Sequence, residues 1–353
     1  NTIKFIIFIL FLLLTACEKR KDPYFPPYTP SPSSPTSQSY ENTQVCSFNI
    51  QFLGSSKVRD NQALSQFLAA QNCHIFVVQE LIAPPDLQTV KGFIYFQGES
   101  PLKPNEKSTA FFQAMYDVGF DGFWLSEADT GTSETNMSNG TNTEWWVTFY
   151  QSKKVSPKLN LPYGFISDDI TRNPIFDRVP YAFSFQVNNQ GLDFVLIITH
   201  LHPGPSTKDR ARRATEINGI FKWIQEQKQH ASERDFIILG DMNIEDKKEL
   251  DNVLKESQFL SLNIDASVMT NTNVNGPKPY DHIFYDPQFT TSSELIIKMD
   301  LFDLTTGLLP FWRESLDTYP GNPYNHNLFR LIYSDHHPIA LTFKGVAEES
   351  DDD

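Results

Sequence analysis

The sequence has few cysteines, little positive charge and no long apolar segment. Three cysteines occur in 353 residues, and no C-x-x-C or H-x-x-x-H spacing indicates a structural zinc site. Lysine and arginine number 29 against 43 acidic residues, so the formal net charge of −14 argues against non-specific binding to nucleic acid. It does not exclude a nuclease, because a metal ion can supply positive charge locally. With 40% hydrophobic residues, the chain can build one large core or two ordinary ones.

The first residues are typical of a targeting segment. Lys4 precedes an apolar run over residues 5–14 that is too short to cross a bilayer as a stable helix. The run ends in LTAC, residues 14–17, which resembles the lipobox of bacterial lipoproteins, where the cysteine is acylated and becomes the mature N-terminus. The alternative is a plain secretory peptide with an incidental Cys17. We expect a lipid anchor through Cys17 and an extracytoplasmic place in a bacterial cell envelope, on its periplasmic or surface face.

Composition divides the rest of the chain. Residues 18–42 are rich in Pro, Ser and Thr and cannot bury enough apolar surface to fold, which predicts a disordered tether. Residues 346–353 form an acidic tail, and the folded catalytic domain is expected over residues 43–345. We expect a monomer and no protein partner.

Cys46 and Cys73 are the two cysteines of this folded part. An extracytoplasmic address permits a disulfide between them. Both also stand in apolar, strand-like surroundings, where cysteine is often a small buried residue. We favour the second interpretation slightly.

Short apolar runs alternate with helix-like segments. Strand-like runs are QVCSFNIQFL, CHIFVVQEL, GFWLSE, EWWVTFY, YAFSFQV, GLDFVLIITHL, RDFIILGDMN, YDHIFYD and HHPIALTF. Helix-like segments are DNQALSQFLAAQ, NEKSTAFFQAMYDVG, DRARRATEINGIFKWIQEQKQ and DKKELDNVLKE. The pattern predicts an α/β fold, and the hairpin-like spacing of residues 144–150, 181–187 and 192–200 favours antiparallel pairing in the middle. Residues 128–143 predict a polar loop, either disordered or a flap on the substrate side.

Nearly every strand-like run ends in an acid, an amide or a histidine. A single such residue has an ordinary explanation as a turn or cap residue. Together they are costly to gather unless a positive charge neutralises them, and carboxylate with amide oxygens are the ligands of Mg²⁺ or Mn²⁺. The residues at these run ends are Asn49, Glu80, Glu144, His200, Asp241, Asn243, Asp281, Asp335 and His336.

Six motifs resemble the endonuclease/exonuclease/phosphatase superfamily, and in particular its deoxyribonuclease I branch. They are CSFNIQFLGSSK, VVQEL, LIITHLHP, ILGDMN, PYDHIFYD and SDHHPIAL, in the family's order. The resemblance implies a four-layer sandwich of two mixed β-sheets flanked by helices, with an active site at one end of the strands.

The resemblance also implies a metal site. Glu80 would be the principal ligand of Mg²⁺ or Mn²⁺, helped by Asn49 and Asp335. The family's calcium loop and disulfide cysteines are not evident, so calcium is not supported.

The same resemblance assigns the chemistry. His200 and His336 would be the catalytic imidazoles on either side of the scissile phosphate, paired with Glu144 and Asp281 respectively. Asp241 would orient or deprotonate the attacking water. Among the phosphate-binding residues would be Asn243, Arg178 and Asn49.

The chain departs from deoxyribonuclease I where that enzyme contacts duplex DNA. Gln51 and Ile82 stand in place of two arginines that contact the minor groove, and Asn142 replaces a stacking tyrosine. These changes remove electrostatic and stacking terms for a duplex.

Two other features could contact a nucleic acid. One is a basic cluster that could reach backbone phosphates, although a solvated helix face balanced by Asp209 and Glu216 is favoured. The cluster consists of Lys208, Arg210, Arg212 and Arg213. The other is the Trp145–Trp146 pair, of which one ring is expected in the core and only the other exposed.

These observations predict a metal-dependent phosphodiesterase, foremost an endonuclease that hydrolyses DNA or RNA outside the cytoplasm. A lipid or small phosphate ester is the alternative substrate, as for a sphingomyelinase or inositol phosphatase. A non-catalytic surface binding protein is the alternative of another class, but a decayed site should have lost at least one of Glu80, His200, Asp241 or His336.

Overall fold

The computed structural model describes most of the chain after residue 39. The described ranges are 40–98, 104–130, 144–171, 173–231, 233–288, 295–312 and 325–347, with side chains of 295–297 left out. The expected signal peptide, nearly all of the expected tether and acidic tail, and residues 131–143 of the polar loop lie outside them. Within these ranges no helix combines the length and the apolarity needed to cross a membrane.

The described residues form fourteen strands and six α-helices. The strands are β1 (Thr43–Leu53), β2 (Ile75–Leu81), β3 (Phe93–Tyr95), β4 (Gly122–Leu125), β5 (Trp145–Tyr150), β6 (Val155–Pro157), β7 (Gly164–Phe165), β8 (Tyr181–Val187), β9 (Asp193–His200), β10 (Phe236–Asp241), β11 (Leu260–Ser261), β12 (Asp281–Tyr285), β13 (Leu295–Leu301) and β14 (Ile339–Phe343). The helices are α1 (Asn61–Ala69), α2 (Glu106–Asp117), α3 (Thr207–Gln227), α4 (Lys247–Leu254), α5 (Leu304–Gly307) and α6 (His326–Ile332), with a 3₁₀ turn at Leu309–Phe311.

The strands form two mixed sheets. Sheet A has the order β13–β14–β1–β2–β5–β4–β3, and sheet B has the order β11–β12–β10–β9–β8–β6 with β7 beside β8. In sheet A, β1 runs parallel to β2 and antiparallel to β14. In sheet B, β9 runs parallel to β10, which pairs antiparallel with β12. Each sheet therefore has a parallel pair in its interior, and these two pairs carry most of the polar strand ends.

The two sheets pack face to face because their strands are apolar on both sides. In β2, Ile75 and Val77 point into the core between the sheets, whereas Phe76 and Val78 point to the outer face of sheet A. The side chains of β9 and β10 alternate in the same way between the central core and the outer face of sheet B. Across the middle, the ring of Phe194 in β9 stacks on that of Phe343 in β14, with centroids 4.6 Å apart. Such two-sided burial explains why these runs show no polar alternation.

Helices cover both outer faces. Helices α1 and α2 bury apolar side chains against sheet A, including Leu64 and Phe111. Helices α3 and α4 do the same against sheet B, including Ile220 and Leu250. Side chains cap the first turns of these helices, for example that of Asp60 on α1 and that of Asp246 on α4. The expected four-layer α/β sandwich is confirmed.

Two sequence expectations need correction. Strands β8 and β9 pair antiparallel as expected, but β5 belongs to the other sheet and pairs with β2 and β4. The cysteines are not separate buried thiols: Cys46 and Cys73 form a disulfide, with Cα atoms 6.0 Å apart. Apolar surroundings did not discriminate between the two interpretations, because a disulfide is itself apolar and both residues are fully buried.

Candidate active site

Strand ends from both sheets meet at one edge of the sandwich. Strands β1 and β2 bring Asn49 and Glu80 there, while β9 and β10 bring His200 and Asp241, which are paired in register. Asp281 begins β12 and is itself in register with Asp241. Because the members of each parallel pair end at the same edge, residues far apart in the chain converge.

The backbone leaves regular strand geometry where it carries these side chains. Register shifts interrupt the β1–β2 and β2–β5 pairings at this edge. The left-handed φ region is occupied by Gln51 (54°), Phe52 (50°), Glu80 (63°) and Asn243 (50°). Such conformations are costly for residues other than glycine and tend to occur at functional sites. Their concentration here separates this edge from the rest of the sandwich.

Asn49 connects the two sheets. Its side-chain nitrogen Nδ2 donates to Glu80 Oε1 at 2.8 Å and to Asp241 Oδ2 at 3.0 Å. Its side-chain oxygen accepts the backbone N–H of Gln51 at 2.9 Å. The amide nitrogen, rather than the oxygen, therefore faces the carboxylates. In this arrangement Asn49 positions two acids, while its expected contacts with a metal ion and a phosphate stay predictions.

Each of two histidines is held by its own carboxylate. The Nδ1 atom of His200 lies 3.0 Å from Glu144 Oε2, and that of His336 lies 2.7 Å from Asp281 Oδ2. Both Nε2 atoms lie 3.5 Å from Oδ2 of Asp241. The imidazoles therefore present their free nitrogens to one point.

Charge decides the protonation of these rings. Burial lowers the pKa of His200, and the Arg178 guanidinium lowers it further, but the Glu144 and Asp241 carboxylates outweigh both and the net shift is upward. Burial also opposes the cation of His336, yet Asp281 and Asp241 raise its pKa well above the ordinary value. Both rings are therefore favoured as cations near neutral pH.

Arg178 lies behind the first histidine. Its Nε donates to Glu144 Oε1 at 2.6 Å, and its NH1 donates to the backbone oxygen of His200 at 3.2 Å. The side chain is buried yet lines the cavity, so it fixes the Glu144–His200 pair and adds positive charge to the wall.

These side chains line a cavity of about 570 Å³. All predicted site residues contribute to its wall except Asn49 and Asp281, which lie just behind it. The sequence did not single out the rest of the lining, which comes from the end of β1, from two loops and from an aromatic residue beside Asp281. These additional residues are Phe52, Pro203, Gly204, Pro205, Glu245 and Tyr280.

The donor set fits a hard divalent cation. Two groups of three residues place ligand atoms within 4.8 Å of one another, namely Glu80 with His200 and Asp241, and Asp241 with Asp281 and His336. Burial raises the pKa of Glu80, and the Glu144 and Asp335 charges add to the rise against the opposing effect of His200. A carboxylate in that position gains from a neighbouring cation, and oxygen-rich sites suit Mg²⁺ or Mn²⁺.

Asp335 lines the same cavity but belongs to neither group. Its Oδ2 accepts a hydrogen bond from Gln51 Nε2 at 2.9 Å, while its buried Oδ1 has no hydrogen-bond partner among the described residues. An unpartnered carboxylate oxygen beside Glu80 is a further donor that a cation could use.

The basic cluster on α3 does not face an open phosphate site. Arg213 is fully buried and pairs with Glu249 at 2.7 Å, and Arg210 pairs with Glu245 at 2.8 Å. Arg212 pairs with Asp177 at 3.2 Å, whereas Lys208 is exposed. The expectation of a solvated helix face is also wrong for Arg213 and Glu216, because the loop before α3 folds back over them.

That loop forms part of the cavity wall. Arg213 donates to the backbone oxygens of His202 and Gly204, at 3.0 and 2.8 Å. Glu216 accepts the backbone N–H groups of Asp177 and His202, at 2.8 and 2.9 Å. The buried charges of α3 therefore hold in place the segment that carries Pro203 to Pro205.

One of the two tryptophans lies in the core as expected, but the other is half-buried rather than exposed. Trp146 is fully buried, with its indole N–H donating to the Val179 oxygen at 2.8 Å. Trp145 is half-buried and packs on the outer core of sheet A.

The chain matches a family of phosphate ester hydrolases and two curated deoxyribonucleases. Residues 46–336 match the family described as "Endonuclease/Exonuclease/phosphatase family". The chain is 25% identical over 215 residues to human "Deoxyribonuclease-1-like 1", which covers 60% of this chain and 59% of that protein. It is 24% identical over 302 residues to human "Deoxyribonuclease gamma", covering 81% and 85%.

Solved structures share the fold at low identity. A family protein from Bacteroides thetaiotaomicron superposes with a TM-score of 0.51 and 15% identity, covering 86% of this chain and 98% of that one. Truncated TDP2 from Caenorhabditis elegans gives 0.50 and 14%, with the same coverage. With the matched residues spanning nearly the whole sandwich, five of the six motifs and the start of the sixth, the chain belongs to the endonuclease/exonuclease/phosphatase family.

Proposed function

We propose that this protein is a divalent-metal-dependent phosphodiesterase that hydrolyses nucleic acid, foremost DNA, as an endonuclease. Family membership supports a hydrolase of phosphate ester bonds, and the similarity to two human deoxyribonucleases supports nucleic acid as the substrate. The match to the first of them spans 59% of its length, so its substrate is carried over here as a proposal. The observation that carries the proposal is the pair of carboxylate-held imidazoles facing Asp241 beside Glu80.

The charge of the cavity supports metal dependence. Acidic side chains dominate its wall and would repel a phosphate diester, although Arg178 and the two imidazoles oppose them. The acids are Glu80, Glu144, Asp241, Glu245 and Asp335. Glu80, with Asp241 and Asp335 beside it, would hold the ion. When bound, such an ion supplies positive charge to the phosphate and lowers the pKa of a water molecule.

The residues themselves can supply the proton transfers. Asp241 lies within reach of both Nε2 atoms and can orient a water molecule between them. Because both rings are favoured as cations, one imidazolium can donate a proton to the leaving oxygen and the other can neutralise a phosphate oxygen, while the Asp241 carboxylate accepts the proton of the water. Each ring is kept in place through Nδ1. Asn243 donates one amide hydrogen to the Leu201 oxygen at 3.1 Å, which leaves its second for a phosphate oxygen.

A panel of substrates tests this proposal. The purified protein is incubated with supercoiled plasmid, single-stranded DNA, RNA and sphingomyelin, in Mg²⁺ or in chelator. We expect cleavage of a nucleic acid in Mg²⁺ alone, and its loss in His200→Ala and His336→Ala. Equal cleavage by the wild type and both variants would contradict the assignment.

A lipid or small phosphate ester is the second candidate. It is supported by the absence of cations at positions that contact duplex DNA in deoxyribonuclease I: Gln51 is bonded to Asp335, and Ile82 is apolar. Cleavage of sphingomyelin with no nucleic acid cleaved would favour it.

We also propose that the protein is lipid-anchored in a bacterial envelope through Cys17. The proposal is supported by the LTAC tetrad after an apolar run. We expect Cys17→Ala to move the protein from the membrane fraction to the soluble fraction, and unchanged fractionation would count against it.

A further inference from the structure

The rim of the cavity carries an exposed aromatic ring at Phe52. This side chain is 44% exposed although it lines the cavity. Phe52 lies on β1, shortly after Asn49 and directly after Gln51. Its backbone N–H donates to Glu80 Oε2 at 2.9 Å. The backbone that carries the ring is therefore tied to the principal acid of the site.

An apolar contribution to folding does not account for this ring. Phe52 stands at a φ of 50°, a conformation that a bulky residue rarely adopts, and its neighbour Gln51 is also left-handed. Neighbouring Leu53 is buried in the outer core of sheet A, whereas Phe52 points away from it into the cavity. The chain thus bears a backbone cost to place an exposed aromatic beside the reacting centre.

Positive charge continues from this ring on the sheet A side. A groove of about 430 Å³ begins at Leu53 and Gly54 and is lined by Lys57, Arg59 and Lys107. Among the described residues these three cations have no carboxylate within ion-pair distance, and Glu106 is the acid that lines the groove. Arg59 donates to the backbone oxygens of Gln51 and Tyr333. Lys107 Nζ donates one hydrogen to the backbone oxygen of Ser55, so the exposed Lys57 and the two remaining hydrogens of Lys107 are the groove's donors for a phosphate.

The sheet B side differs. There the arginines of α3 are matched by acids, and Glu245, which pairs with Arg210, lines the cavity itself. Among the described residues, the groove beside Phe52 is therefore lined by cations without an ion pair, whereas the arginines of α3 are matched by acids and the exposed Lys208 lines neither the cavity nor the groove. A single strand carries its phosphates along one line, whereas a duplex presents phosphates on two.

We propose that Phe52 is a stacking platform for an unpaired base next to the scissile phosphate, and that the groove at Lys57 and Lys107 takes the following phosphate. The ligand class is single-stranded nucleic acid. In a duplex both faces of each base are covered by neighbours, whereas an unpaired base offers a free face to a ring, whatever its sequence. This inference rests on the proposed function and names the form of its substrate.

The test compares a single-stranded oligonucleotide with the same strand lacking bases around the cleaved bond. We expect Phe52→Ala to lower kcat/KM on the intact strand roughly 5- to 100-fold, the loss of one base–aromatic stack, and to change the abasic strand less than about twofold. Phe52→Trp should restore the intact-strand rate. Equal losses on both strands, or no loss, would overturn the proposal.

Salt dependence tests the groove. In Lys57→Ala the slope of log(kcat/KM) against log[salt] should become shallower by about 0.7 for a single strand. Lys222→Ala, with an exposed side chain on α3, is the matched control and should keep the wild-type slope. An unchanged slope in both Lys57→Ala and Lys107→Ala would show that the groove binds no phosphate.

A binding measurement separates this proposal from the proposed function. Fluorescence anisotropy of the intact strand in Mg²⁺, with His200→Ala as the common background, needs no turnover, and thermal denaturation checks that each variant is folded. Weaker binding when Phe52→Ala is added to that background, and a preference of the background protein for the single strand over the duplex, support the platform. No binding, or tighter binding of the duplex, overturns it even where plasmid is cleaved.

Discussion

His200 and His336 direct their Nε2 atoms at the same oxygen, Oδ2 of Asp241, from the same distance of 3.5 Å. The first ring ends a strand of sheet B, and the second precedes a strand of sheet A. The two rings therefore face a common point from opposite sheets. A group bound at that point would have one imidazolium on each side, which suits proton donation to a leaving oxygen and neutralisation of charge on a phosphate.

Asp281→Asn tests whether its carboxylate is needed to hold His336. The substitution removes the charge 2.7 Å from Nδ1, so it lowers the pKa of the imidazole and loosens its tautomer. We expect kcat to fall by about 10²- to 10⁴-fold, the usual value of a general acid or base. Steady-state rates with Asp265→Asn, at an exposed loop position, give the control. A rate within threefold of the wild type would show that the pairing is structural.

Glu80→Gln tests the metal site without relying on turnover. Replacing a buried carboxylate by an amide removes the charge that a divalent cation compensates, and both oxygens of Glu80 already have one donor each. We expect the dissociation constant for Mg²⁺ or Mn²⁺, measured by titration calorimetry, to rise more than about tenfold. Gln51→Ala is a useful comparison, because it frees Asp335 rather than removing an acid. Equal affinity in Glu80→Gln and the wild type would place the ion elsewhere.

Glu216 predicts a pH-dependent stability. Burial, with a contribution from Asp177, raises the pKa of Glu216 to about 7 against the effect of its two backbone donors. The folded state thus keeps a proton that the unfolded state releases above its pKa of 4.5, so the stability from this group is present below pH 4.5 and is lost as pH rises towards 7.

Glu216→Gln should therefore gain stability relative to the wild type across that window, by up to about 3 kcal/mol between its ends. Urea unfolding at several pH values measures the difference. Glu226→Gln, at an exposed site on the same helix, should show no such trend. A difference that is constant with pH would mean that Glu216 is ionised in the folded protein throughout.

The Cys46–Cys73 disulfide predicts a loss of stability on reduction. It joins two cysteines that are 27 residues apart in the sequence, and it links β1 to the segment that precedes β2. Cys46→Ala with Cys73→Ala should lower the free energy of unfolding by about 3 kcal/mol. The double variant should be insensitive to dithiothreitol while the wild type is not. Identical urea midpoints with and without reductant would argue that the bond is not formed.

The sequence predicted what each strand carries better than which strand neighbours which. Apolar runs such as Phe236 to Leu239 were identifiable as buried strands, because the pattern is local. The polar residues that follow these runs were identifiable as a site for the same reason. The assignment of β5 to sheet A depends on contacts with β2, which lies about seventy residues earlier, and no local pattern records that. Periodicity also gave no sign of short strands such as β6 and β7.

Within the site, residue types were predictable and their orientation was not. The pairing of His336 with Asp281 follows from the family motifs, and the coordinates place them in contact. The turn of the Asn49 amide towards two acids, and the burial of Arg213 rather than its exposure, depend on tertiary packing. The prediction of a solvated polar face on α3 fails at Arg213 because the preceding loop covers that face. The helical pattern of the sequence alone carries no information about that loop.

The division of this site between two sheets has a consequence for how the molecule could be taken apart. The chain up to residue 130 brings Asn49 and Glu80, and the chain from residue 144 onwards brings Glu144, both histidines and the other acids. Dividing the chain within residues 131–143 would give two fragments, neither of which contains all the residues of the candidate active site. Activity recovered on mixing them would report reassembly of the interface itself, which makes the chain a natural candidate for fragment complementation.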